Sequence, residues 1–551
     1  MHCQKNHRLM KRLTERNAEK FTLILIIITF LIRLLIAAYT GLGNGESYYF
    51  RGALHFDWSY FDQPPLFFWL GGLSIKLFGL NNLGLRFPTV LLFAGTSWLL
   101  FLTARKLFNA KAGFWAVTVM NLSAVFTVAI ACWYQPDAPL MFFWMLSTWY
   151  IMKVMGIGEE KPLSPATDSR KIYMLWIITG ICMGLATLSK YHVLFLFAGV
   201  FMFVSTNKSQ RHWLKHPGPY LAVLITILMA FPVLWWNYKN NWASFVFQGS
   251  RAGTSNEGLH LHIDWFLRSI LGQSVWLLPW IWFPTIKQLW VTYKLRLQAT
   301  YGFIFWMSVL PIVFFTIITL WADLQYHFHW QAPGYMMLFM PLGFAIDKKL
   351  SAGDGKAKRL TRRWLNFSIY FTIITISVLG LHMVTGFWQS YGPKWVVSLG
   401  GGTVDPTIQG VDFDDIMTRF EKEGWIANKH IFAGSTRWWL TGKVDWALKG
   451  KKDIICFNPD ARNMAFLVDP NTLIGKDAII IGEDHQDTVD EDVTPFFDSV
   501  TKLADIPVIR GGIVEEHLQV YYCKNFHESV KPFKEDYPLY RQLKGLPPFG
   551  N

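Results

Sequence analysis

Charge is what this sequence most lacks. Only 16% of its 551 residues are charged, against 52% hydrophobic, where a soluble chain carries about 25% charged. That scarcity excludes an ordinary soluble protein, and the apolar residues are blocked into runs near the ~20 residues that cross a bilayer. Cysteine is scarce as well. Cys3, Cys132, Cys182, Cys456 and Cys523 are the only five, with neither a CxxC pair nor metal-ligand spacing, so no zinc module is written here. Cys456 and Cys523 are available to a disulfide if their part of the chain lies outside the cytoplasm. There is no P-loop, no GxGxxG between a strand and a helix, and no HExxH, which leaves no signature of a nucleotide site or a zinc protease. The acids of "GVDFDDIMTRFEKEG" lack the glycine and terminal glutamate spacing of a calcium loop.

What is present is a series of apolar segments, at about 21–40, 83–104, 113–132, 136–155, 173–189, 192–206, 219–237, 266–289, 301–321, 334–347 and 364–385. These predict a polytopic α-helical membrane protein with about eleven transmembrane helices. Phe21–Thr40 is too long for a signal-peptide core and no small-residue cleavage site follows, so it reads as a retained span. Residues 64–79 are apolar but broken by Pro64-Pro65 and Gly71-Gly72, which predicts a helix lying at the interface. The net charge of +14 is concentrated before the first span (Lys5, Arg8, Lys11, Arg12, Arg16, Lys20) and in the loop Lys348–Arg363. That is the positive-inside pattern. It implies contact with membrane lipids and no nucleic acid, and places residues 1–20 in the cytoplasm. Eleven crossings then carry the chain's end outside. After Gly386 the long apolar runs stop. "KHIFAG", "DIICFNP", "MAFLVDP", "DAIIIGED", "IPVIRGG" and "LQVYYCKNF" read as short strands, and "VDFDDIMTRFEKEGW" and "STRWWLTGKVDWAL" as amphipathic helices. Residues 386–551 are therefore expected to form a soluble, extracytoplasmic α/β domain.

The polar clusters all fall at the outer ends of these segments. The first, "GESYYFRGALHFDWSYFDQPPLFFWL", carries Glu46, Tyr48, Tyr49, Asp57 and Asp62. An interfacial helix accounts for the aromatics and turn capping for Asp57 and Asp62, but neither accounts for carboxylates recurring beside the rings. Asp137 stands between prolines in "YQPDAPLMFFW", either as a helix N-cap or as a functional ionisable group at the membrane. Lys190, Tyr191 and His192 lie where two apolar segments meet; the lysine either snorkels to headgroups or holds a lipid phosphate as a point charge. "WWNYKNNWASFVFQGSR" and "QYHFHWQAPGY" complete the set.

Taken together, "GESYYF…HFDWSYFDQPPLFFWL", "PDAPLMFFW", "GLATLSKY" and "HWQAPGY" resemble, in order, the motifs of bacterial relatives of the protein O-mannosyltransferases, the group that includes the lipid A aminoarabinose and galacturonic acid transferases. The resemblance covers about residues 20–350. It implies a C-type glycosyltransferase fold in a bacterial inner membrane, and transfer of a sugar from a polyprenyl-phosphate carrier to a lipid A-like glycolipid or a protein acceptor on the outer face. In such a reaction a carboxylate removes the acceptor proton and cations hold the leaving phosphate. By this resemblance Glu46 and Asp137 are the acidic pair, and also the candidate ligands should a divalent metal take part; no other cofactor is implied. Asp62 supports them, Lys190 and Arg86 hold the donor phosphate, and Tyr48, Tyr49, Asp57, Tyr191, His329 and Tyr335 are further contacts.

The chain departs from the family pattern at two places. Gly45 stands where the family has the first acid of an Asp-Glu pair, and Gln63 where it commonly has histidine. Either Glu46 or Asp137 then serves as base, or the acceptor needs little help, or the chain is a catalytically silent relative. A transporter or flippase for a lipid-linked glycan is the competing class; it calls for ionisable residues near the midplane, and apart from Arg33 inside the first span few lie in the apolar cores.

Overall fold

The computed structural model describes residues 13–161, 163, 168–251, 261–322, 327, 329–352, 355–391, 405–483, 488–531, 533 and 536–549. Cys3 and the basic residues Lys5, Arg8, Lys11 and Arg12 lie outside them.

Helices form on all eleven apolar segments, three of which are broken within their length. α1 (Glu15–Tyr39) leads to two short helices at one end of the bundle, α2 (Asn44–Leu54) and α3 (Leu66–Phe78). α3 is the apolar stretch after Pro64-Pro65, and at 13 residues it is too short to cross a bilayer. Then follow α4 (Asn82–Leu107), α5 (Ala110–Leu122), α6 (Asp137–Met155), α7 (Ser169–Ser189), α8 (Leu194–Thr206), α9 (Pro217–Met229), α10 (Phe231–Lys239), α11 (Ala243–Ser250), α12 (Ile263–Leu277), α13 (Pro279–Lys294), α14 (Ala299–Ile317), α15 (Ala332–Ser351) and α16 (Lys356–Thr385). Among the described residues five helices are long and apolar enough to span alone, or six with the bent pair α9–α10 counted as one.

Three segments that read as single helices are broken, each for a local reason. The segment 113–132 stops at Ser123 and resumes as a wider π turn, Val125–Ile130. α9 and α10 meet at 43° where Pro232 removes a backbone donor. α12 ends at Leu278, whose φ of +71° is left-handed, and Pro279 opens α13. Small residues let helices approach: a Cβ on Gly343 would sit 2.2 Å from the Ala112 carbonyl oxygen of α5.

Beyond the bundle lies an α/β unit. Its strands are β1 (Ile431–Ser435), β2 (Ile454–Cys456), β3 (Asp477–Glu483), β4 (Phe497–Lys502), β5 (Ile506–Arg510) and β6 (Ile513–Phe526), in the order β2-β1-β3-β6-β4, with β5 also on β6. β2, β1 and β3 are parallel; β6 runs antiparallel to β3, β4 and β5. α17 (Asp414–Lys422) and α18 (Trp438–Ala447) cover one face of the sheet, and the short helix Pro538–Leu543 packs on the other.

Two readings of this region need correction. "MAFLVDP" is no strand: Arg462 takes a left-handed φ of +50° and starts a 3₁₀ turn over Arg462–Phe466. Cys456 and Cys523 are buried free thiols. They lie on β2 and β6 with two strands between them, three strand spacings of roughly 4.8 Å, so no bridge is possible. β4 is an addition to the expected strands.

The α/β unit is fastened to the bundle's first loop. Helix α18 packs on α2, and Gly442 permits it: a Cβ there would lie 2.5 Å from the Tyr48 backbone. Arg51 of α2 pairs with Asp445 at 2.9 Å. The buried Lys443 ammonium donates to the carbonyls of Leu42, Gln409 (2.7 Å) and Val411 (2.8 Å). The Asp412 carboxylate accepts from Leu42 N at 2.9 Å and from Asn82 Nδ2 at 2.7 Å.

Candidate functional site

Glu46 is the third residue of α2, and it is buried. Its Oε1 accepts from Arg86 Nε (2.6 Å) and Tyr134 N (2.7 Å), and its Oε2 from Arg86 Nη2 (2.6 Å) and Gly43 N (2.9 Å). Arg86 is equally engaged. Nη1 donates to the Thr40 carbonyl (2.8 Å) and hydroxyl (3.0 Å), and Nη2 also reaches the Gly41 carbonyl at 2.7 Å. With four acceptor positions on a carboxylate and five donors on a guanidinium, neither group has capacity left. The pair is a buried knot joining the end of α1, the start of α2, α4 and the segment before α6. This geometry speaks against the roles expected for them, Glu46 as base and Arg86 as phosphate ligand.

Asp62 is placed differently. It sits in the turn between α2 and α3, 4% exposed, and its Oδ1 has no hydrogen-bond partner among the described residues. Burial pushes its pKa up to about 6, opposed by the nearby Arg462 and Arg251 guanidiniums and a hydrogen bond from Tyr48. Four elements hold it there. The Asp62 carbonyl accepts from Gln248 Nε2 of α11 at 2.7 Å. The adjacent Phe61 N donates to Asn463 Oδ1 at 3.1 Å, and Asn463 N donates to Tyr48 Oη at 2.9 Å. Tyr48 and Tyr49 pack against each other at 5.1 Å between ring centroids, and Tyr49 packs on Phe67 of α3. Tyr191, hydrogen-bonded to Ser244 Oγ at 2.9 Å, is close enough to feel the Asp62 charge.

The second carboxylate, Asp137, opens α6. Both its oxygens accept from Lys190 Nζ at 2.9 Å, and His329 Nε2 lies 3.8 Å away. Burial lowers the His329 pKa to about 4, with Asp137 opposing, so the ring is neutral near pH 7. Lys190 has three donors; two face Asp137. Arg251, at the end of α11, donates to His327 Nε2 at 3.2 Å and lies over the Phe247 and Trp330 rings. Arg462 lies over Trp438 at 4.0 Å and is tethered to Asp460 at 3.0 Å.

Of the residues expected at a site, Tyr48, Tyr49, Asp62 and Tyr191 come together around Asp62, and Asp137, Lys190 and His329 form a second cluster. Arg251, coupled to both Asp62 and Lys190, links the two. Asp57 stands apart: its carboxylate accepts from Trp58 N (2.6 Å) and Trp236 Nε1 (2.8 Å) and closes a turn. Tyr335 is deep in the bundle, donating to Gln273 Oε1 at 2.5 Å and accepting from Trp282 Nε1 at 3.0 Å, which ties α15 to α12 and α13. Among the described residues no three histidine, cysteine or acidic side chains gather as metal ligands. Glu46 and Asp137 are each neutralised by their own cation, so the two do not fit as a joint donor set. Sequence reasoning missed Arg462 and Asn463, which sit in the distant α/β unit with no motif to mark them. Arg251 closes the polar stretch "WWNYKNNWASFVFQGSR", which the sequence marks as a cluster without assigning the arginine a role.

Residues 62–236 match the family model described as dolichyl-phosphate-mannose-protein mannosyltransferase. The chain is 22% identical over 315 residues to undecaprenyl phosphate-alpha-4-amino-4-deoxy-L-arabinose arabinosyl transferase 2 of Pseudomonas fluorescens, an alignment covering 54% of this chain and 52% of the relative. It is 23% identical over 297 residues to the lipid A galacturonosyltransferase RgtD of Rhizobium johnstonii, covering 53% and 58%. The chain thus spans about half the length of these curated relatives. Its fold is that of ArnT from Cupriavidus metallidurans bound to undecaprenyl phosphate, with TM-score 0.60, 15% identity, and coverage of 91% of this chain and 97% of that one. The resemblance read from the motifs is borne out, as is the reading of a polytopic helical membrane protein.

Proposed function

We infer that this relative of the protein O-mannosyltransferases and lipid A-modifying transferases moves a sugar from a polyprenyl-phosphate donor to a lipid A-like glycolipid at the outer face of a bacterial inner membrane. The observation that carries the reading is Asp62: a buried carboxylate with one oxygen unpartnered among the described residues, in the field of the Arg251 and Arg462 guanidiniums, the first of which also acts on the Lys190–Asp137 pair. A base works best with a pKa near the working pH, and about 6 meets that condition.

In this reading the Asp62 carboxylate takes the proton of an acceptor hydroxyl as that oxygen attacks the anomeric carbon. The bond from that carbon to the phosphate oxygen breaks, and the polyprenyl phosphate leaves with the electron pair. Arg251, Arg462 and the third hydrogen of Lys190 are the cations placed to meet the charge that develops. Asp137 holds Lys190 in position and keeps it charged. Glu46 and Arg86 build the floor of the site without touching substrate. Tyr48, Tyr49 and Tyr191 supply ring faces and hydroxyls for a sugar.

The same reading sets the topology: eleven crossings, residues 1–20 in the cytoplasm and the α/β unit outside. It is supported by the clustering of Asp62, Asp137, Lys190 and Arg251 at the bundle end that carries the α/β unit, with Lys106 and Lys111 at the far end of α4 and start of α5.

The test is a mass comparison of envelope glycolipids from cells expressing the intact chain, Asp62→Asn, Asp137→Asn or no protein. A sugar-sized increment with the intact chain that is lost in both variants is the expected result. An increment that survives Asp62→Asn removes Asp62 as base. No increment with any chain removes lipid A-like glycolipids as the acceptor.

A further inference from the structure

Away from this site, α1, α5 and α16 enclose a cavity of about 510 Å³, within the roughly 300–1,000 Å³ of small-ligand sites. α1 packs on α5, α16 leans on α5, and the two face each other across the gap. Ile24, Ile28 and Ile32 line one wall, and Ile369, Ile373 and Ile376 the other. Ile28 is 51% exposed and Ile373 57%, so the cavity is a groove open to the hydrocarbon of the bilayer.

One charge lies in this apolar groove. Arg33 is 4% exposed and lines the cavity. Its Nη2 donates to Asn121 Oδ1 at 2.7 Å and its guanidinium lies over Phe93 at 4.6 Å. Its Nε has no hydrogen-bond partner, and no carboxylate acts on it, among the described residues. Arginine does not neutralise itself by losing its proton, and an uncompensated charge within a span is expensive. Arg33 precedes Tyr39, the helix end nearest the candidate site, by six residues, roughly 9 Å of helix at ~1.5 Å per residue. That depth suits the oxygens just below a lipid headgroup, with the lipid's chain running down the groove. A water-soluble anion has no route through isoleucine walls that face hydrocarbon.

We propose that this groove binds an acidic glycerophospholipid, one acyl chain lying between α1 and α16 and a phosphate or ester oxygen accepting from the part of the Arg33 guanidinium that lines the cavity. The lipid then fills the seam between the first and last long helices and supplies the counter-charge that the protein withholds. This inference does not rest on sugar transfer.

The test uses the purified full chain, with phosphatidylglycerol or phosphatidylcholine added at equal concentration and retained lipid counted by native mass spectrometry. The intact chain is expected to hold one phosphatidylglycerol at least tenfold more tightly than phosphatidylcholine. Arg33→Met is expected to erase that preference. Ile373→Trp, which fills the groove from its lipid-facing wall and leaves Arg33 in place, is expected to release both lipids, and it keeps the test decisive if Arg33→Met folds poorly. Equal retention of the two lipids by the intact chain overturns the proposal. So does phosphatidylglycerol retention undiminished in Ile373→Trp, or undecaprenyl phosphate displacing the phospholipid from the groove.

Discussion

At the scale of single residues the structure separates two carboxylates that look alike in sequence. Asp62 is buried without a full set of partners, so its charged form is disfavoured. The native state holds the proton up to about pH 6, against an ordinary value of 3.8. The cost of ionising it is therefore absent below pH 4, grows as pH rises between the two values, and is complete above 6. Asp62→Asn is expected to lower transfer at least ~100-fold and yet to stabilise the fold by about 3 kcal/mol at pH 7, a gain that vanishes below pH 4; thermal melts at both pH values check it. The transfer rate of the intact chain is expected to climb through pH 6 and level off above 7, and a flat profile would remove Asp62 from the chemistry. Glu46 should behave in the opposite way. Glu46→Gln leaves Arg86 buried and unpaired, at about 3–5 kcal/mol. Reduced yield and a lower Tm are expected at every pH, with part of the loss recovered by adding Arg86→Leu.

At the scale of elements, the meeting of α2 with α18 decides whether the site exists. Gly442 leaves no room for a side chain against Tyr48, and Tyr48 in turn accepts from Asn463 next to Arg462. Gly442→Val is expected to destabilise this contact by about 1–3 kcal/mol. Limited proteolysis should then release the α/β unit while the bundle stays intact, and transfer should fall with it. Transfer unaffected by that release would mean Arg462 has no part in the site. Most of these elements were legible beforehand. The helical segments are long apolar runs, and β1, β3 and β6 are apolar runs bounded by turn residues. The misread "MAFLVDP" shows the limit. Its composition suits a strand, but Asn463, next to the left-handed Arg462, bonds Tyr48 Oη and Phe61 N of the bundle's first loop, and that tertiary demand overrides local preference.

At the scale of the whole molecule, the chain is a helical membrane body whose working end is capped by its own C-terminal unit. If that end faces outward, a membrane-impermeant thiol reagent applied to intact cells made permeable only at the outer membrane should label a cysteine placed at Lys451, which is exposed in the α/β unit. It should not label one placed at Arg359, in the basic segment at the start of α16. The reverse pattern would invert the topology.

The sequence by itself determined the class of molecule. Sparse charge and apolar runs of bilayer length leave few other solutions, because a backbone in hydrocarbon must satisfy its own hydrogen bonds. The order of the motifs also placed the chain among its relatives. The roles of individual side chains were decided only by tertiary structure. A carboxylate's work depends on how many donors surround it and how much water reaches it, and those donors come from residues far apart in the chain. Glu46 is filled by Arg86 and Tyr134, Asp137 by Lys190, and Asp62 is left open in the field of Arg251 and Arg462. No spacing along the chain encodes that difference.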